Sequence, residues 1–148
     1  MDKILILAGG YSNEREISLI TARSVTRELK KNQKYKLLTI EPNGHFVEKL
    51  RKFKPKLVLN LLHGRYGEDG YIQSILESER IKYTHSGVLS SSLAIDKEIS
   101  KKIFIKNKIL TPSYFKFTFK KKTNYKNIIK KIEKKLKFPV VLKPINEG

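Results

Sequence analysis

The sequence predicts an α/β fold built on a parallel sheet, and three observations predict it. Short apolar runs alternate with segments of helical spacing along the chain. The runs 3–8, 35–40 and 56–62 are each closed by Gly, Pro, Asn or a Gly-containing turn, the punctuation of strands followed by loops. At 39% hydrophobic residues over 148 positions, composition supports a packed core of one medium domain, or of one small domain and part of another.

The first strand is expected over 3–8, running into Gly9-Gly10. A helix follows from about Glu14 to Lys31, with Ala22, Val25 and Leu29 on its inner face and Ser12 or Asn13 as N-cap. The second strand is expected over 35–40, closed by Pro42-Asn43-Gly44, and a short helix over 47–53 leads through Pro55 to an interior strand over 56–62. Ile72, Ile75 and Leu76 have helical spacing, and a short strand is expected over 81–84, then a small-residue turn, 86–92, into another helix. Asp96-Lys97-Glu98 opens a helix running to about Asn107. Ser113–Phe119 alternates like a strand, 124–137 reads as an amphipathic helix with a lysine face, and Phe138–Pro144 reads as a last buried strand. A domain boundary is placed near 93–96, giving units 1–95 and 96–148. No internal repeat is present.

Cysteine is absent, so there is no disulfide framework, thiolate metal site or thiol nucleophile, which fits a reducing cytoplasm. The opening apolar run is too short for a secretory signal, and no run approaches the roughly 20 residues of a membrane helix. The net charge of +18 raises the question of a nucleic-acid partner. Arginine, the better base and phosphate reader, supplies only 6 of the 32 basic residues. The excess is concentrated late: sixteen basic and ten acidic residues precede position 96, against sixteen and four from there on.

Two segments carry chemistry. In Gly9-Gly10-Tyr11-Ser12-Asn13-Glu14-Arg15-Glu16-Ile17-Ser18, two glycines after a strand allow a tight turn and close approach of a ligand. Glu14 falls in the first turn of a helix, where the dipole favours its anion and where it suits a substrate ammonium. On residues alone, Glu14 and Glu16 read first as ordinary first-turn acids, ahead of a substrate role for Glu14. In His63-Gly64-Arg65-Tyr66-Gly67-Glu68-Asp69-Gly70-Tyr71-Ile72-Gln73-Ser74, a histidine, three glycines and two carboxylates sit where a strand ends and a helix begins, the edge at which open α/β sheets bind ligands. His63 reads as either structural or as a donor to a carboxylate. Glu68 and Asp69 both read as N-caps of the next helix, Asp69 foremost, and Glu68 is alternatively a candidate to orient His63. His45 and His85 read as surface or turn residues.

This second segment resembles the signature of the D-alanine–D-alanine ligases, His-Gly-x-x-Gly-Glu-Asp-Gly-x-aliphatic-Gln-small. The first resembles the family's Gly-Gly-x-Ser-x-Glu-Arg-Glu-aliphatic-Ser, matched throughout, and Asp96-Lys97 with Ser100-Lys101 resembles its Asp-Lys and Ser-Lys pairs. Phe138–Pro144 is similar to the ATP-grasp strand that ends in a lysine, with Gly148 as first residue of a Gly-Ser-Ser-x-Gly phosphate loop.

The resemblance implies a Rossmann-like, pre-ATP-grasp domain over 1–95 that binds substrate. It implies the start of an ATP-grasp α+β domain over 96–148, cut at the phosphate loop. It implies that Glu14 takes the amino group of the first D-alanine, with Gly9, Gly10 and Ser12 beside it, and that His63 lies at its carboxylate. It assigns Lys97 and Lys143 to ATP phosphates, and places the magnesium ligands outside these residues. The implied reaction joins two D-alanines through an acyl phosphate for peptidoglycan, in a cytoplasmic enzyme that is a homodimer at full length. These 148 residues alone are expected to be inactive. The rivals are a ligase making D-alanyl-D-lactate or D-alanyl-D-serine, and a basic module using the Lys116–Lys137 face on nucleic acid, which would show steep salt dependence.

Overall fold

A computed structural model describes residues 1–147. Three strands, β1 (Asp2–Leu7), β2 (Tyr35–Ile40) and β3 (Leu57–Asn60), form a parallel sheet in the order β2-β1-β3. The helices are α1 (Arg15–Lys30), α2 (Phe46–Phe53), α3 (Tyr71–Ser78), α4 (Val88–Ile95), α5 (Lys97–Lys106) and α6 (Tyr125–Lys135).

β1 is central because it is apolar on both faces. Leu5, Leu7, Val58, Leu62, Ile72 and Leu76 pack with Phe46 and Leu50 of α2 on one side. Ile4, Ile6 and Ala8 pack with Ala22 of α1 on the other, where Leu29 is partly buried. The right-handed β1-α1-β2 crossover expected of parallel strands thus places α1 and α2 on opposite faces. Register is set by pairs Asp2↔Tyr35 through Leu7↔Ile40 and Ile4↔Leu57 through Leu7↔Asn60. Every described residue classed as buried lies before position 96.

Several expectations need correction. The third strand stops at Asn60 rather than Leu62, because the chain leaves the ladder after Leu61 N–H bonds Leu7 O at 2.9 Å. The 81–84 strand is reduced to one bridge, Val58↔Tyr83, since Ser86-Gly87 turns the chain into α4 at once. α1 has Glu14 at its N-cap with no side-chain cap, and the Ser12 hydroxyl, which donates to His63 O, accepts from Glu14 N–H ahead of the first helical residue. Neither 113–119 nor 138–144 is a strand: no neighbouring strand takes up their backbone groups among the described residues. Val141 and Leu142 are 81% and 68% exposed, so Lys143 does not end a buried strand. From position 96 on, the described residues hold two helices and no strand. Those helices are locally well specified. The Asp96 carboxylate caps α5 by accepting from Glu98 and Ile99 N–H, each at 2.9 Å, and Asn124 caps α6 from Asn127 N–H at 3.2 Å.

Tyr83 tests the bridge. Its ring packs on the core and its hydroxyl donates to Glu77 Oε1 at 2.6 Å. Burial, reinforced by Glu77, pushes the phenol up to about 12. The folded state therefore holds the Tyr83 proton more tightly than the unfolded chain does. The stability that Tyr83 adds over Tyr83→Phe should be constant below about pH 10 and decline as pH rises from there to about 12. Urea midpoints of the two chains across that range check it.

Candidate functional site

The site forms where two loops leave the carboxyl ends of adjacent parallel strands. The first, 8–14, follows β1; the second, 61–70, follows β3. Gly9 and Gly10 both have positive φ, 78° and 86°, which turns the first loop away from the sheet. A Cβ on Gly9 would also run into the Glu41 side chain.

Two serine hydroxyls stitch these loops together. Ser18 Oγ accepts from Gly9 N–H at 2.8 Å and donates to Leu61 O at 2.6 Å. Ser12 Oγ accepts from Glu14 N–H at 3.2 Å and donates to His63 O at 2.7 Å. Glu14 thereby comes to Gly64: a Cβ built on Gly64 would stand 3.3 Å from Glu14 Oε2. The half-buried Glu14 carboxylate accepts no hydrogen bond and forms no ion pair among the described residues.

Glu68 holds the second loop from within. Its Oε2 accepts from Gly64 N–H at 2.7 Å, and its Oε1 lies 3.9 Å from His63 Nδ1. The other ring nitrogen, Nε2, is buried without a hydrogen-bond partner. Glu68 is thus placed to bias the ring, while Asp69 Oδ1 accepts from Tyr71 N–H at 3.1 Å and steadies the start of α3, whose N-cap is Gly70. His45 is exposed at the start of α2, and His85 sits in a turn with φ of 85°, as the sequence suggested.

Below the loop, the buried side chains of Asn60 and Gln73 both donate to Gly67 O, each at 2.8 Å. Asn60 Oδ1 also accepts from Leu62 N–H at 3.2 Å. Gly67 has no room for a side chain, since a Cβ there would strike that of Leu62 and approach its carbonyl carbon at 3.1 Å. Outside the loop, Tyr66 packs edge-on against Tyr11 and Tyr71, with centroids 6.2 and 5.1 Å away.

A cavity of about 490 Å³ opens beside the first loop, lined by Gly10, Tyr11, Ser12, Arg15, Glu41, Pro42 and Asn43. Across it Arg15 and Glu41 form a two-pronged pair, Nε–Oε2 3.0 Å and Nη2–Oε1 2.7 Å. That hydrogen bonding raises the Arg15 guanidinium above its ordinary value.

The lysines form a separate group. Lys97 N–H donates to Ile145 O at 3.0 Å and its ammonium to Glu147 O, which lays the chain end along the start of α5. Lys101 reaches Thr111 Oγ1 at 3.0 Å and Pro112 O at 2.6 Å. Lys143 is exposed, two residues before Ile145, and Gly148 lies outside the described residues. No hydrogen bond or ion pair joins this group to Glu14 or His63 among the described residues.

Sequence reasoning pointed to Glu14, His63 and Glu68, which lie on the two neighbouring loops, and did not anticipate the Arg15–Glu41 pair, the Ser18 bridge or the clamp of paired amides on Gly67 O. Arg15, Ser18 and Gln73 are fixed positions of the two motifs, which name no partner for them, and Asn60 stands out as an amide inside an apolar run.

The chain is similar to known proteins over nearly all of its length. Over 146 residues, 99% of this chain, 64% of positions match the D-alanine–D-alanine ligase of Pelagibacter ubique (strain HTCC1062), of which the match covers 47%. The D-alanine–D-alanine ligase of Carboxydothermus hydrogenoformans is 44% identical over 146 residues, 99% of this chain and 46% of that protein. A solved structure of D-alanine–D-alanine ligase from Bacillus anthracis, complexed with ATP, aligns with a TM-score of 0.76 at 37% identity, over 100% of this chain and 49% of that one. No family model matches the chain. A parallel sheet with both loop motifs at its carboxyl edge is an open α/β domain with its candidate site where such sheets bind ligands. The chain belongs to the D-alanine–D-alanine ligase family and spans about half the length of the curated relatives it matches.

Asn60 offers a direct test of the clamp. Asn60→Ala removes two buried hydrogen bonds and leaves Leu62 N–H without its acceptor, so it should cost about 2 kcal/mol. Urea unfolding would show that loss.

Proposed function

We propose that this chain supplies the first-substrate site, and part of the ATP site, of an ATP-dependent ligase that joins two D-alanines. The observation that carries the reading is the unpaired Glu14 carboxylate beside Gly64, on the loop bonded through Ser12 to His63, whose Nε2 also lacks a partner. An α-amino acid carries an ammonium and a carboxylate on one carbon, so it needs an anion and a donor a few ångströms apart. Glu14, at the N-terminus of α1, supplies the anion. His63 supplies the donor. Gly9, Gly10 and Ser12 shape the wall between them.

In this reading, phosphate transfer from ATP makes the carboxylate of the first D-alanine an acyl phosphate. The amine of the second displaces phosphate to give the dipeptide used in peptidoglycan. Lys97 and Lys143 are assigned to the ATP phosphates, as compact cations suited to that charge. Lys97 opens α5 beside the 145–147 backbone, a placement that supports a phosphate role at the helix start. The described residues do not fit a magnesium site: no three His, Asp or Glu side chains gather around one point among them. The unit boundary is proposed at 95/96, where Asp96 ends α4 and caps α5.

The curated relatives named above are D-alanine–D-alanine ligases, which favours D-alanine over D-lactate or D-serine as second substrate and does not favour a nucleic-acid module. The reading carries with it a cytoplasmic location and a homodimer at full length. No described helix is long and apolar enough to cross a membrane.

A chimera tests it. This chain, replacing the matching region of the Pelagibacter ubique relative, should support phosphate release from ATP that depends on D-alanine. Glu14→Ala in that chimera should lower kcat/KM for D-alanine at saturating ATP by about thirtyfold, the equivalent of about 2 kcal/mol for a lost charged hydrogen bond. An unchanged D-alanine dependence would remove Glu14 from the site.

A further inference from the structure

The sheet ladder ends before the site begins. Its last backbone bond between the two strands at issue runs from Leu61 N–H to Leu7 O at 2.9 Å. Beyond it the glycine turn carries the first loop off, and backbone bonding between the loops stops. Side-chain hydroxyls take over. Ser18 joins Gly9 N–H to Leu61 O, and Ser12 joins Glu14 N–H to His63 O. Each hydroxyl links a backbone donor of the first loop to a backbone acceptor of the second. Together they make two further rungs, with an oxygen inserted where a direct bond cannot reach.

We infer that Ser12 is a positioning residue, whose hydroxyl fixes the spacing of Glu14 and His63 before any amino acid binds. The inference rests on the proposed role of those two residues. A serine hydroxyl has one proton and two acceptor positions. The Ser12 proton goes to His63 O at 2.7 Å, and one acceptor position takes Glu14 N–H at 3.2 Å. A hydroxyl so engaged has no proton left for a substrate carboxylate. Its two partners are the backbones of the two groups that face the amino acid, 51 residues apart for His63 and 2 for Glu14. Ser18 is buried and holds the deeper rung, so its loss would read out as stability. Ser12 is only partly buried and lies on the outer rung, where geometry can change while the fold persists.

The test uses the 148-residue chain, isotope-labelled, as wild type, Ser12→Ala and Ser12→Thr, with D-alanine itself as the probe. In the unmodified chain the Glu14 amide should exchange with solvent more slowly than those of Tyr11 and Asn13, which donate to nothing among the described residues. In Ser12→Ala the Glu14 amide and the His63 carbonyl and ring resonances should move together. D-alanine affinity should fall about tenfold, the loss expected for one hydrogen bond of about 1.4 kcal/mol. Ser12→Thr keeps the hydroxyl and should restore the resonances and the affinity in step.

Fast exchange of the Glu14 amide in wild type would overturn the inference even if Ser12→Ala failed to fold. So would unmoved His63 resonances in a folded Ser12→Ala chain. A fall in affinity with neither set of resonances moved would overturn it too, and would make Ser12 a ligand contact. Wild type that binds no D-alanine would defeat the site reading, while the coupled shifts would still decide the role of Ser12.

Discussion

Parallel pairing of β1 on both its edges is the constraint from which the rest of the structure follows. A parallel strand cannot be joined to its neighbour by a tight hairpin, so each connection crosses a face of the sheet through a helix. That requirement places α1 and α2 on opposite faces and buries Leu5, Ile6, Leu7 and Ala8 completely. It also sends the chain out at the same edge after β1 and after β3. Two loops far apart in sequence therefore emerge side by side. The chemistry collects at that edge because the topology leaves it nowhere else to collect.

How much of this the sequence discloses depends on where each group finds its hydrogen-bond partner. α5 and α6 are readable because a helix satisfies its own backbone, and Asp96 and Asn124 announce the caps within three residues. The alternation of 113–119 and the apolar run of 138–144 carry the same kind of local signal. A strand's bonds, however, lie on another strand, and no pattern within seven residues says whether one is present. Glu14 and His63 are legible because their motifs fix residue types at fixed offsets. Ser12 and Ser18 sit in the same motif, yet their work is invisible in it, since each bonds a backbone carbonyl across the sheet and every residue has a carbonyl. Arg15 and Glu41, 26 residues apart, meet only once β1 and β2 are in register.

The late part of the chain shows how the large positive charge is accommodated. Glu98 on α5 takes both Lys102, at 2.8 Å, and Lys116, and those hydrogen bonds hold its carboxyl below the ordinary value. α6 lacks such a partner among the described ion pairs, and its lysines face solvent. Exposed ammonium groups repel weakly through water and salt, so a solvated lysine face is tolerated without pairing. The charge is thus a property of this surface and plays no part in shaping the Glu14 and His63 site.

One further arrangement explains why Glu14 remains available at all. The nearest cation in sequence is Arg15, and an arginine beside a carboxylate ordinarily pairs with it, since its planar fork matches both oxygens. Here that fork is turned away. Glu41, at the end of β2, takes Nε and Nη2, and Glu16 takes Nη1 at 2.9 Å. With Nε, Nη1 and Nη2 engaged by Glu41 and Glu16, Arg15 leaves Glu14 without a counter-ion among the described residues. The same pair braces the first loop against the second strand, while the serines brace it against the third. A carboxylate with no cation beside it among the described residues, at a helix N-terminus and on a loop held from both sides, is free to meet a cation from outside. The proposed ligand, an amino acid, carries such a cation in its ammonium.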